Sequence, residues 1–247
     1  MNAQRISPQS FPLTAKYDPD WVRANALGEN ALCQAEVLAR RIPLHAGMRV
    51  LDLGCGKATS SIFLAREFGV EVWAVDDTIS PTENRGRAEA LQCERSVFPL
   101  QLDARKLPFP EDFFDVVTAI DSFLYFGTDE RYLEYLTPFV KRSGYIGMVD
   151  IAFTRPLQSI EDAPGYLRDD FGKYWSYVHD VPWWVQHWEK TGLVEVLHAG
   201  HLAESDALLR DYAHVRPPGQ AEDAIMRASR SDREGLLSLF CMVGRRL

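Results

Sequence analysis

The stretch Val50–Ser60, VLDLGCGKATS, constrains this chain more than any other. An apolar run carrying the acid Asp52 ends in two glycines one residue apart, Gly54 and Gly56, and a helix-forming segment, SSIFLAREF, follows at once. This is the pattern of a buried strand turning tightly into a helix beside a nucleotide-type ligand. Gly54 and Gly56 permit positive φ and let the backbone approach a ligand with no Cβ in the way. A helix starting near Ala58 aims its unpaired N–H groups into the same crevice.

After Gly47 the pattern alternates. Strands are predicted at Arg49–Leu53, Glu71–Val75, Val97–Leu102, Phe114–Ile120, Tyr145–Ala152 and Leu193–Leu197, with a last one in LLSLFCMVG near the C-terminus. Helices are predicted at Trp21–Arg41, Thr59–Phe68, Thr82–Cys93, Asp129–Val140, from Pro182 to a C-cap at Gly192, and over Ser205–Ala213. Several strands are apolar on both faces, as in a parallel sheet covered on both sides. Repeated βα units with a Gly-rich first turn indicate a doubly wound α/β sheet in one domain spanning residues 1–247. Residues 1–45 read as a polar arm followed by a helix. Thr154–Val181 breaks the alternation and reads as an inserted aromatic lid.

The net charge of −8 argues against nucleic acid as a partner, because phosphate binding needs a basic face. The four cysteines form no C-x-x-C pair, so free thiols in a reducing compartment are expected. The N-terminus has no apolar core of a secretory signal, and no apolar run approaches the ~20 residues that span a bilayer. These features together lead to the expectation of a cytoplasmic protein, monomer or homodimer, with no membrane partner. His198 and His201 have no Cys or acidic partners at ligand spacing, and no metal site is expected.

A lone G-x-G is weak evidence, and Thr59 stands where a dinucleotide fingerprint has its third glycine. Asp52 suits a ligand bearing a positively charged amine. Asp76 closes the second strand, where a carboxylate can accept bonds from both ribose hydroxyls. The alternative is that Asp76 and Asp77 cap the next helix.

Taken together, VLDLGCGKATS, VWAVDD and LDARKLPFPEDFFDVVTAIDSFLYF resemble the successive motifs of class I S-adenosylmethionine-dependent methyltransferases, over roughly residues 30–200. The resemblance implies a mostly parallel seven-stranded sheet of the Rossmann-like methyltransferase type and S-adenosyl-L-methionine as cofactor. It implies that Gly54, Cys55 and Gly56 hold the methionine part, with Asp52 nearby, and that Asp76 binds ribose. Asp103 then meets the adenine amine with Ala104 beside it, and Asp121, Ser122 and Phe123 face the sulfonium and substrate. Where such chains usually read Pro-Gly-Gly before the fifth strand, this one reads Arg142-Ser143-Gly144. It also lacks a His in SFLYFG after the fourth strand.

The acceptor expected is a small molecule, taking the methyl on O, N or C. Trp175 and Tyr177 are candidates for lining its pocket, and aromatic faces stabilise positive charge near a sulfonium. Tyr17 is a candidate to close the site from the arm, with packing as the alternative. His179 and Tyr125 are the candidate proton acceptors; a hydrogen-bonding structural role is the alternative for His179. Two other functions are considered. An NAD-dependent oxidoreductase is opposed by Thr59, by Asp52 and by the strand-like final segment. A non-catalytic S-adenosylmethionine-binding protein would release no S-adenosylhomocysteine. Carbon methylation of a lipid, as in cyclopropane synthases, is a weaker alternative within the enzyme class.

Overall fold

The chain folds around one seven-stranded sheet in the order β3-β2-β1-β4-β5-β7-β6. The computed structural model describes residues 8–28, 30–215 and 224–247. The elements are α1 (Pro19–Asn25), α2 (Ala31–Ala39), β1 (Arg49–Leu53), α3 (Thr59–Phe68), β2 (Glu71–Asp76), α4 (Pro81–Ala90), β3 (Val97–Gln101) and β4 (Phe114–Ile120). They continue with α5 (Leu124–Gly127), α6 (Tyr132–Leu136), β5 (Val140–Phe153), α7 (Gly165–Phe171), α8 (Val181–Glu189), β6 (Val194–His201), α9 (Ser205–Val215), α10 (Ala224–Ser231) and β7 (Leu237–Arg246). Strands β1 to β5 pair in parallel, and β7 runs antiparallel to both β5 and β6. The sheet is therefore the doubly wound, mostly parallel one of the Rossmann-like methyltransferase fold. Its strand order reverses between β1 and β4, which opens a crevice at their carboxyl ends.

The central strands form because their residues are buried on both faces: Val50, Leu51 and Leu53 in β1, and Val116, Val117 and Ala119 in β4, have no measurable exposure. The helices start and stop on local signals. Asp18 caps α1, Asn30 caps α2 and Asp180 caps α8 with side-chain bonds to first-turn amides. Prolines open α1, α4 and α8 at the start of their first turns. Gly69, left-handed at φ +67°, ends α3.

Four expectations change. The helix predicted over Trp21–Arg41 is two helices, because the Asn30 carboxamide accepts from Cys33 N and starts α2 afresh. The helix predicted over Asp129–Val140 is the short α6 followed by a 3-10 turn at Thr137–Phe139; Pro138 has no N–H with which to extend it. The expected lid contains a 3-10 turn at Ile160–Asp162, α7, and another 3-10 turn at Gly172–Tyr174. The fifth strand, predicted over Tyr145–Ala152, runs from Val140 to Phe153, so Arg142-Ser143-Gly144 lies within it. Residues 1–7 of the arm lie outside the described residues, as does the side chain of Phe171 in the lid. Among the described residues, no helix is long and apolar enough to cross a membrane. No group of three His, Cys, Asp or Glu side chains among them could hold a metal ion. All four cysteines are buried and unpaired with one another.

Candidate functional site

The glycine loop leaves β1 at Leu53 and climbs into α3 through three left-handed residues, Gly54 (φ +66°), Gly56 (+51°) and Ala58 (+56°). A methyl group added at Gly54 would come within 2.5 Å of Ser122 Cβ, so only glycine admits the β4 segment this close. Ser122 locks that contact by donating its hydroxyl to Leu53 O at 2.7 Å. The Gly56 peptide is gripped at both ends. Its N–H donates to Asp76 Oδ2 at 2.8 Å, and its carbonyl accepts from Asn84 Nδ2 at 2.9 Å. Cys55 is buried between the glycines, and its N–H donates to Val75 O at 3.0 Å. The residue before α3, Ala58, supplies no side-chain cap, so the first-turn amides of α3 are left to the crevice.

The carboxylates predicted for this site divide in two. Asp76 and Asp103 sit at the crevice. Asp76 Oδ1 accepts from Thr78 N, Thr78 Oγ1 and Ile79 N at 2.9, 2.7 and 2.9 Å, while Oδ2 holds Gly56. Burial would raise its pKa, but the bonds from Ile79, Thr78 and Gly56 outweigh it and hold the carboxyl below its ordinary value. Asp103 is half-buried beyond β3, accepting from Arg105 N at 2.8 Å, with Ala104 tied through its carbonyl to the Tyr132 hydroxyl at 3.1 Å.

Asp52 does not face the crevice. It is fully buried and accepts from Ser61 Oγ (2.6 Å), Ser60 Oγ (2.7 Å) and Thr118 Oγ1 (2.9 Å). Burial raises its pKa despite those three bonds. The charge expected to greet a ligand amine instead ties the first turn of α3 to the middle of the sheet.

Asp121 stands at the end of β4 with φ +57°, half-buried, and a methyl at Gly28 would collide with its carboxylate. Ala26–Gly28, after α1, thus lies over the crevice. Leu27 is the neighbour nearest to the open face of Gly56, and Lys57 Nζ donates to Ala26 O at 3.1 Å. Arg87 completes the strap, donating to Asn25 Oδ1 at 3.0 Å and to Asn84 Oδ1 at 2.7 Å. Asn25, Leu27, Gly28, Asn84 and Arg87 escaped sequence reading, because nothing in their spacing separates them from an ordinary helix surface.

On the acceptor side the structure joins some of the expected residues and separates others. The Tyr125 ring, exposed on α5, meets Tyr177 at 6.0 Å and Tyr174 at 6.3 Å between centroids. Trp175 packs on Phe153 at 5.5 Å, at the end of β5. His179 lies flat on Trp183, with ring centroids 3.6 Å apart and planes 11° apart. Burial lowers the His179 pKa, against a bond to the Ser176 backbone that raises it.

Two expected pocket residues are corrected. Phe123 is wholly buried among Phe126, Tyr132, Trp184 and Trp188, so its ring builds the wall behind the crevice rather than lining a pocket. Tyr17 is buried beside Phe63, with its hydroxyl 3.4 Å from Glu67 Oε1 and the Arg66 guanidinium over its ring. Glu67 is two turns beyond the start of α3, so Tyr17 staples the arm to the far part of that helix. Apolar burial and the acid–phenol bond fix it there.

Residues 50–144 match the family described as methyltransferase domain. Methyltransferase GfsG of Streptomyces halstedii is 28% identical over 182 residues, covering 72% of this chain and 64% of that protein. The chain spans less than two thirds of the length of the curated relatives it matches. Among solved structures, a geranyl diphosphate methyltransferase in complex with S-adenosylmethionine superposes with a TM-score of 0.69 at 17% identity, covering 87% of this chain and 85% of that one. The cyclase SpnF superposes with a TM-score of 0.72 at 16% identity, covering 96% of this chain and 93% of that one. At these identities the superpositions establish the fold.

Proposed function

We propose that this chain, which belongs to the class I S-adenosylmethionine-dependent methyltransferases, is an enzyme that moves a methyl group from S-adenosylmethionine to an O, N or C atom of a small molecule. The observation that carries the reading is the Gly56 peptide, held by Asp76 and Asn84 where strand order reverses, beside a helix start with no side-chain cap. Backbone donors stand on one side of this turn and the Asp76 carboxylate on the other. Gly54, Cys55 and Gly56 hold the methionine part, Asp76 the ribose hydroxyls, and Asp103 with Ala104 the adenine. When bound, the cofactor supplies a methyl on a cationic sulfur.

The chain's own task is positioning and exclusion of water. The Leu27–Gly28 strap covers the loop from above, and Asp121 with Ser122 closes it from the β4 side. The acceptor enters past Tyr125, Tyr174 and Tyr177, whose faces favour a cationic neighbour. Of the two candidate proton acceptors, the exposed Tyr125 is better placed than His179, whose ring is stacked on Trp183. The test has two parts. Calorimetry with S-adenosylmethionine, S-adenosylhomocysteine and NAD should show binding of the first two only. A metabolite panel containing amines, phenols, sugar hydroxyls and activated carbon acids is then scored for S-adenosylhomocysteine release. NAD binding without S-adenosyl binding would overturn the reading in favour of an oxidoreductase. Binding without turnover across the panel would support a non-catalytic role.

A further inference from the structure

The helix that carries Tyr125 cannot hold itself. α5 is four residues long, one turn, far below the length at which a helix is stable alone. Both of its ends are tied to buried titratable side chains from other elements, and between them Arg105 Nη2 donates to Tyr125 O at 2.7 Å. At the N-terminal end, Leu124 N donates to Asp150 Oδ2 at 3.1 Å; Asp150 is fully buried in β5, and its other oxygen accepts from Ile151 N at 3.0 Å. At the C-terminal end, Gly127 O lies 3.0 Å from Nε2 of His187, a buried residue of α8. A carbonyl only accepts, so Nε2 carries the hydrogen. Burial lowers the His187 pKa, consistent with a neutral ring donating that one hydrogen.

His187 is also one end of a stack. Its ring lies 4.4 Å from that of Trp183 with planes 14° apart, and Trp183 in turn stacks on His179. His179 belongs to the opposite wall of the mouth. Its carbonyl accepts from Phe153 N at 3.2 Å, and Tyr177 precedes it by two residues. One column of three rings therefore touches both elements that meet at the Tyr125–Tyr177 and Tyr125–Tyr174 ring contacts.

We propose that His187 and Asp150 are positioning residues that bracket α5 and so set where Tyr125 stands across the acceptor mouth, with the Trp183–His179 stack fixing the facing wall to the same column. An apolar residue at 187 would fill the same volume without holding Gly127. Ordinary core packing therefore predicts no local effect of removing the N–H alone. The role assigned to Tyr125 rests on the reading of the chain as a methyltransferase. The bracket itself does not.

The experiment is hydrogen exchange by mass spectrometry on the full chain saturated with S-adenosylhomocysteine, comparing wild type, His187→Phe and His187→Gln. Phenylalanine keeps ring volume and stacking but has no N–H; the glutamine amide nitrogen reaches where Nε2 does. Amides of residues 122–128 should exchange about tenfold faster in His187→Phe, the scale of one lost bond to a buried carbonyl. His187→Gln should restore protection, with residues 50–60 and S-adenosylhomocysteine affinity unchanged in both. For an acceptor found in the metabolite panel, kcat/KM should fall in His187→Phe, and that further loss should vanish in a Tyr125→Ala background. Should His187→Phe not fold, Trp183→Leu tests the same column, with the same local loosening expected. Unchanged protection over 122–128, or loosening spread evenly over the domain, overturns the bracket. Local loosening in a protein that turns over no acceptor upholds the bracket and counts against the transfer reading.

Discussion

Asp52 separates a structural role from a ligand role cleanly, because two substitutions there predict opposite patterns. In Asp52→Ala, the hydroxyls of Ser60, Ser61 and Thr118 lose their common acceptor inside the core. Thr118 keeps a fallback, since Leu51 O is 3.5 Å from its Oγ1. At roughly 1–3 kcal/mol for each buried polar group left unpaired, the loss is about 3 kcal/mol or more. For a chain of this size that lowers the melting temperature by about 6–12 °C. Asp52→Asn keeps the shape and one acceptor oxygen and removes a buried charge, so its cost at neutral pH should be within about 1 kcal/mol.

The pH dependence fixes the sign. Burial raises the Asp52 pKa in the folded state above the ordinary carboxylate value. A raised carboxyl contributes stability that is fully present below the unfolded pKa and is lost as pH rises through the folded one. Asparagine has no such loss. The melting temperature of Asp52→Asn relative to wild type should therefore climb between about pH 4 and neutrality. Thermal melts across that range and S-adenosylhomocysteine titrations of both variants are the assay. If Asp52→Asn melts like wild type at every pH but loses tenfold or more in cofactor affinity, the structural argument is wrong and Asp52 is a ligand contact.

Two further outcomes follow from the crevice and its mouth. Asp76→Asn removes the charge that holds Gly56 and should weaken S-adenosylhomocysteine binding about tenfold or more by calorimetry, the scale of charge-assisted bonds of roughly 1.5–3 kcal/mol; because hydrogen bonds depress the folded pKa of Asp76, its stability deficit at neutral pH should disappear as pH falls below the usual carboxylate range. Tyr177→Ala removes one face of the mouth and should impair acceptor use at unchanged cofactor affinity, whereas equal loss of both would mean that the turn supports the crevice itself.

The cofactor half of this fold was legible because it is written in backbone requirements. A left-handed Gly54, a Gly56 peptide pinned by the acid that ends the next strand, and strands buried on both faces all leave local marks in the sequence. β1, α3 and β4 accordingly fall at the predicted boundaries. The helix splitting at Asn30 and the truncation at Pro138 carried visible signals as well, but a 3.6-residue apolar period reads straight through them. Asp52 failed for a different reason. A carboxylate in a strand next to a glycine loop looks the same whether it faces a ligand or three hydroxyls, and only the fold brings Thr118 to it. Asp150 did leave a signal, a lone acid in the apolar run GYIGMVDIAF, and a buried charge always asks for partners. Ser143, left-handed at φ +61°, lies inside β5 where its pairing with β4 shifts register; a Cβ at Gly144 would press to 2.8 Å from Asp115 O and Lys141 O.

The extent of the family match follows the same division. It covers residues 50–144, from β1 into the first part of β5, and ends before the Asp150 bracket, the Tyr174–Tyr177 turn and the His179–Trp183–His187 column. Up to that point the chain must meet one fixed ligand shape through peptide groups, and peptide groups leave their trace as glycines and strand-ending acids. Beyond it, the walls are made of side chains alone, aromatic rings at 3.6–6.3 Å from one another, and many ring combinations fill such a space equally well. A pocket built that way can change its occupant without disturbing the crevice, provided its posts stay anchored. That is why the ties that Asp150 and His187 make to a single-turn helix, rather than the glycine loop, are where substitutions in this chain should separate acceptor choice from cofactor binding.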